Sequence, residues 1–167
     1  VDGNHSRIFS RPPLRVAVDA SYEQDSARAI RSVAKQLSEC IGVKRRARKE
    51  AAPERAVDVE LTFAGWRGAV AEHALQHFNA ARWTEAAMDP RDVQEIFCDV
   101  SSRDASPVPR RLVYLSPDAE EALEDVEEDT TYVIGGIVDL AARGVAWSLP
   151  KATALGIRAA RLPIREN

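Results

Sequence analysis

"YVIGGIVD", residues 132–139, sets strand-forming side chains ahead of the adjacent glycines Gly135 and Gly136, continues with aliphatic residues and ends on the carboxylate of Asp139. Glycine weakens a strand and is retained where another backbone or a ligand comes close. A buried strand needs neighbours, and the chain offers four. "LRVAVDAS" (14–21) follows the Pro12-Pro13 break and runs into Asp19; "AVDVELTF" (56–63) alternates; "RRLVYLSPD" (110–118) runs into Pro117; "IRAARLPI" (157–164) closes the chain. Between the strands lie helical patterns. Ala29, Ile30, Val33, Leu37, Cys40 and Ile41 recur at a spacing that predicts one long amphipathic helix over 25–48. A second helix is expected over 68–78, and a short one over 89–97, capped by Asp89 with Pro90 in its first turn. Residues 119–125 read as a helix begun by Ser116, Pro117 and Asp118, and "SLPKATALGI" (148–157) as one closed by Gly156. Strand and helix in alternation define an α/β fold, a parallel sheet with crossover helices.

In such a sheet, ligands gather beyond the carboxyl ends of the strands. Leu115-Ser116, the stretch from Gly136 to Asp139, and Leu162-Pro163 are therefore of joint interest. No G-x-G-x-x-G and no Walker sequence occurs, so neither a dinucleotide fingerprint nor a P-loop is supported. On pattern alone, Asp139 is equally a strand-terminal residue capping the next turn.

A chain of 167 residues suffices for one domain burying about 70% of its unfolded surface. With no run of 18 apolar residues, a membrane-spanning helix is excluded. Cys40 and Cys98 stand far apart, which is neither a disulfide framework nor paired ligand spacing, so an intracellular, reducing compartment is expected. His73 and His77 have chelating spacing but no acidic or thiol partner nearby, and no metal is expected. The net charge of −3 conceals a segregation: "VKRRARKE" (43–50) concentrates Lys44, Arg45, Arg46, Arg48 and Lys49, whereas "DAEEALEDVEED" (118–129) holds eight acids and no base. A positive region of that kind attracts phosphate whatever the total charge.

"VYLSPD", "YVIGGIVD", "SLPKATALGI" and "ARLPI", taken in order with the opening "LRVAVDASY", resemble the tRNA position-9 N1-methyltransferases, a SPOUT-class family. The likeness runs from about residue 14 to the end and is loose over 51–104. It implies a SPOUT-like domain over 14–167 behind an N-terminal extension of 1–13. That fold is trefoil-knotted if the C-terminal segment is present, and the family continues beyond "RLPI" where this chain stops. The implied activity is S-adenosylmethionine-dependent methylation of N1 of the purine at position 9 of tRNA. Asp139 falls on the family's catalytic aspartate, as general base or hydrogen-bonding anchor for N1. The cofactor would rest against Leu115, Ser116, Gly135, Gly136, Arg143, Gly144, Leu149 and Pro163. Lys44, Arg45, Arg46 and Arg48 would meet the tRNA backbone, positioning the RNA without reading it. Arg82 and Trp83 offer a stacking contact, although a tryptophan there is more often core. The alternative implied by the same family is a non-catalytic RNA-binding or assembly subunit that works with a protein partner in an RNA-processing complex. Neither reading needs a membrane, and neither separates nucleus or cytoplasm from mitochondrion.

Overall fold

The computed structural model of the protein describes residues 12–50, 58–97, 111–138 and 147–164. Within them β1 (Leu14–Asp19), β2 (Val59–Ala64), β3 (Ala86–Asp89), β4 (Arg111–Leu115), β5 (Thr130–Gly135) and β6 (Arg158–Ala160) form one sheet in the order β3-β2-β1-β5-β4-β6. Each pairing is parallel. All six strands thus end on one edge, and the order reverses between β1 and β5, the position at which an open parallel sheet forms a crevice.

The twofold alternation of strand side chains decides which helix covers which face. Val18 of β1 and Leu61 and Phe63 of β2 meet Val33, Leu37 and Ile41 of α1 (Ala27–Glu50) and Val70 and Ala74 of α2 (Gly68–His77). Ala17, Tyr114 and Val133 point the other way, onto Val93 of α3 (Val93–Phe97) and Ala152 of α4 (Ser148–Ala154). Burying a side chain the size of Leu37, Ile41 or Phe63 contributes about 1.5–3 kcal/mol each. Trp83 belongs to the first face, buried edge-on to Phe63 at 6.0 Å and beside Trp66 at 5.8 Å. It is a core residue and offers no surface for stacking on RNA.

Three expectations are corrected. Residues 119–125 form no helix: the segment is extended and turned, Ala122 bridges Arg161, Leu123 N–H donates to Arg161 O at 2.8 Å, and Arg161 N–H donates to Glu121 O at 2.8 Å. With acids and no base throughout 118–129, the stretch cannot build favourable i, i+4 pairs within itself. Its partners lie on the sheet instead: Glu127 pairs with Arg111 at 3.3 Å and Arg158 at 3.1 Å, Glu121 pairs with Arg158, and Leu123 is buried against Val113 and Tyr132. Second, Ala86–Asp89 is a sixth strand, so Asp89 ends a strand rather than capping a helix. The helix begins at Val93, with the Glu95 carboxylate accepting the Asp92 N–H at 2.7 Å, and Asp89 pairs with Arg91 at 2.7 Å. Third, β5 stops at Gly135, well short of Asp139. Residues 1–11, 139–146 and 165–167 lie outside the described residues, and with them most of the expected N-terminal extension and the loops through which a knot would pass.

Candidate active site

The crevice is built where β1 and β5 end together, Asp19 opposite Gly135 in the ladder. Beyond it Gly136 N–H donates to Asp19 O at 2.8 Å. A Cβ on Gly136 would stand 2.7 Å from that oxygen, so only glycine lets the two backbones meet here. At Gly135 a Cβ would meet Ser148 Oγ at 3.2 Å and Tyr22 Cε2 at 3.4 Å, because the start of α4 and the loop after β1 close over this strand end. Close packing accounts for the glycine pair, against backbone at Gly136 and against side chains at Gly135.

Beneath these contacts the Asp19 carboxylate is completely buried. Its Oδ1 accepts Ser21 N–H at 3.1 Å and Ser21 Oγ–H at 2.6 Å. Its Oδ2 accepts Tyr114 O–H at 2.9 Å and faces Lys151 Nζ at 2.6 Å. Lys151 Nζ also donates to Ser21 Oγ at 2.7 Å and sits 4.0 Å from the centre of the Tyr22 ring. Because the one phenolic proton of Tyr114 goes to Asp19, the 2.8 Å contact between the two tyrosine hydroxyls has Tyr22 as donor. Burial pushes the Tyr114 phenol far above its ordinary range, and the Asp19 charge pushes it further. Burial also raises Tyr22, partly opposed by its hydrogen bond to Tyr114. Both phenols therefore act as fixed neutral donors around a compensated carboxylate. Asp19, Ser21, Tyr22, Tyr114 and Lys151 join β1, its following loop, β4 and α4 into one polar knot of side chains under the crevice. Of these, sequence reasoning singled out Asp19 alone. The signal it passed over is Lys151, the one charge in the otherwise uncharged "SLPKATALGI".

Of the residues expected to hold a cofactor, Leu115, Ser116, Gly135, Gly136, Leu149 and Pro163 are described and fall at this edge. Leu115 is in register with Ile134 and Ala160; Ser116 is buried, donating its N–H to Ala160 O at 2.9 Å and accepting the Asp118 N–H at 3.3 Å, so it builds the turn itself. Leu149 lies in the first turn of α4, and Pro163 follows β6. Asp139, Arg143 and Gly144 lie outside the described residues. Ile134 on β5 and Leu162 and Ile164 after β6 are apolar residues exposed at 44%, 46% and 75% toward this edge.

The basic run occupies the opposite edge. Lys44 lies 17 residues after Ala27, about 25 Å along α1 from the end that faces the crevice. Lys44 Nζ donates to Glu85 O at 2.6 Å, and Arg45 forks onto the Glu85 carboxylate at 2.7 and 3.1 Å and reaches Arg82 O at 3.3 Å. That fork holds the Glu85 carboxyl at about 2. Among the described residues Arg46, Arg48 and Lys49 form no ion pair, so they remain the part of the run with charge to offer a phosphate.

An all-parallel sheet whose strand order reverses over a buried carboxylate defines a wound α/β protein that binds its ligand at the carboxyl edge. The comparisons narrow this to one family. The chain belongs to the tRNA (guanine(9)-N(1))-methyltransferase TRM10/TRM10A family, whose model matches residues 5–167. It is 54% identical over 55 residues to tRNA methyltransferase 10 homolog B of Danio rerio, a stretch covering 33% of this chain and 17% of that protein. It is 34% identical over 93 residues to the tRNA (guanine(9)-N1)-methyltransferase of Debaryomyces hansenii, covering 56% of this chain and 24% of the relative. The chain thus spans only a fraction of the length of the curated relatives it matches. In fold it is similar to full-length spTrm10 solved in complex with SAH, with a TM-score of 0.71 at 23% identity over 96% of this chain and 80% of the other. It is also similar to a dual specific Trm10 of Thermococcus kodakaraensis, at 0.59 and 18% over 91% and 78%. The architecture is that of the SPOUT-class Trm10 structures.

Proposed function

We propose that this chain carries the catalytic domain of an S-adenosylmethionine-dependent methyltransferase acting on N1 of the purine at position 9 of tRNA. The observation that carries the reading is the family match across residues 5–167. The carboxyl edge, where Leu115, Ser116, Gly135, Gly136, Leu149 and Pro163 fall together, supports it as the place for the cofactor. When bound, S-adenosylmethionine supplies a methyl group already activated by its sulfonium. The protein's own work is then to hold and align. Leu115, Ile134, Leu162 and Ile164 would exclude water around the cofactor, and the Asp19 cluster would keep the floor of the crevice rigid, so that alignment would supply much of the rate. Asp139 takes the N1 proton of a guanine, or anchors the base by a hydrogen bond. Arg46 and Arg48 bind tRNA phosphates, with Lys44 and Arg45 bracing the helix that presents them.

Calorimetric titration with S-adenosylhomocysteine, followed by mapping of methylated positions on tRNA incubated with S-adenosylmethionine, tests the reading. Binding, together with an N1-methylpurine at nucleotide 9, is expected. Asp139→Asn should keep cofactor binding and slow transfer by more than about tenfold if the carboxylate accepts the proton. RNA binding with no cofactor affinity would instead make the chain a non-catalytic RNA-binding or assembly subunit.

A further inference from the structure

α4 is seven residues long, below the length at which a helix holds itself in water. Trp147 gives it no side-chain cap, and its first backbone hydrogen bond, from Lys151 N–H to Trp147 O, is long at 3.4 Å. Of its side chains only Ala152 is buried, in the cluster of Tyr114 and Val133, and apolar packing of a single methyl group is non-directional. Direction comes from two polar side chains one turn apart on the same face. Ser148 hydrogen-bonds the Tyr22 hydroxyl. Lys151 points its ammonium at Asp19 Oδ2 at 2.6 Å, at Ser21 Oγ at 2.7 Å and at the face of the Tyr22 ring, 4.0 Å from its centre. Both tethers thus end on the last residue of β1 and the loop after it, and Asp19 is itself in register with Gly135 at the end of β5. A buried ion pair is a poor source of stability, because desolvation offsets most of its attraction. What it does impose is one arrangement of the elements that carry its partners, here β1 and α4.

We propose that Lys151 is a positioning residue for the cofactor: by tying α4 to Asp19, with Ser148 as a second tether, it sets where the first turn of the helix, and Leu149 within it, stands beyond the end of β5. The proposal rests on the cofactor lying at this edge against Leu149, as proposed above. Methionine at 151 keeps the length of the side chain without its charge, and alanine at 148 removes the hydroxyl. Adding Asp19→Asn to Lys151→Met leaves no unpaired charge in the cluster, which separates the tie from the electrostatic cost of breaking it. Leu37→Ala, in the core on the other face of the sheet, lowers stability without touching α4.

The experiment measures S-adenosylhomocysteine affinity by calorimetry, amide hydrogen exchange at Ala152 and urea unfolding in the wild type and these variants. For Lys151→Met the dissociation constant should rise by about tenfold or more. Protection at Ala152 should fall by about tenfold beyond whatever Leu37→Ala loses there. Leu37→Ala itself should bind within about twofold of the wild type. Asp19→Asn with Lys151→Met should regain part of the stability and none of the affinity, a split that a purely structural role would not show. Ser148→Ala should weaken binding by about threefold, and its combination with Lys151→Met by less than the product of the two, because both tethers hold one turn. An affinity in Lys151→Met within about twofold of the wild type overturns the positioning role, as does an equal loss in Leu37→Ala or an affinity that recovers along with stability in the Asp19 double variant. Losses that multiply in full for Ser148→Ala and Lys151→Met overturn the shared turn. A wild type that binds no S-adenosylhomocysteine overturns the reading of this edge as a cofactor site and the positioning role with it, while exchange at Ala152 still decides whether Lys151 holds α4. If Lys151→Met does not fold, the Asp19 double variant measured against Leu37→Ala decides in its place.

Discussion

Changing Lys151 to methionine keeps the length of the side chain and takes away the ammonium 2.6 Å from the buried Asp19 carboxylate. Such a change leaves an uncompensated charge and should cost about 3 kcal/mol in a urea unfolding experiment. Adding Asp19→Asn should recover part of that loss, since it removes the uncompensated charge, although the single amide oxygen can keep Ser21 or Tyr114 as its donor and not both; a double mutant with purely additive losses would show that the pair is not coupled. The tyrosines give the same site a pH signature. Both Tyr22 and Tyr114 have raised folded-state values, so the stability they lend is fully present below the ordinary phenol range near about 10 and is lost as pH rises through and above it. Unfolding followed from about pH 8 to 11 should show this alkaline loss, and Tyr114→Phe should reduce it. At this scale a single sequence betrays a carboxylate at a strand end, as it did for Asp19. It does not betray Lys151 or Tyr114, because a lysine on a short helix and a tyrosine inside an apolar strand gain their meaning only when three elements bring them within 3 Å of one acid.

Among the elements, strong periodicity was readable and weak periodicity was not. α1 announced itself through a stripe of apolar residues, whereas β3, with "AAMD", is too short and too small in side chain to alternate visibly. Gly136 was legible as a place of close approach, although what approaches is the backbone of β1. Gly136→Ala forces a methyl into that carbonyl and should cost about 1–3 kcal/mol, checked by thermal unfolding. The misread acidic stretch carries its own test. Arg158 and Arg111 hold Glu127, and Arg158 holds Glu121, below the usual carboxylate range. Their contribution is therefore present above the ordinary glutamate value of about 4.3 and is lost as pH falls through the lowered ones. Exchange protection at Leu123, whose N–H donates to Arg161 O, should weaken on acidification from about pH 6 to 3, and Arg158→Ala should weaken it already at neutral pH.

For the molecule as a whole, the order of strand and helix sufficed to give a parallel sheet, and the ordered motifs of the C-terminal half sufficed to give the family. What the order of residues could not convey is distance. The structure sets the basic run and the end of β5 on opposite edges of the sheet, with Lys44 and Arg45, two of the run's five charges, already braced against Glu85. Replacing Arg46 and Arg48 together should lower the slope of log affinity against log salt by about 1–2 for tRNA, by filter binding, while replacing Lys44 and Arg45 should act chiefly on the stability of α1.

On the proposed function, α1 would also work as a ruler. Arg46 and Arg48 stand about 29 and 32 Å along its axis from the end beside the loop that closes over the strand ends. An RNA that is to be gripped at one end and modified at the other must be at least that long and stiff enough not to fold back. A short hairpin bearing the target nucleotide should accordingly be turned over once seated but dissociate quickly, and intact tRNA should dwell. The protein would then tell tRNA from fragments by size, with no need to read a base at the far end.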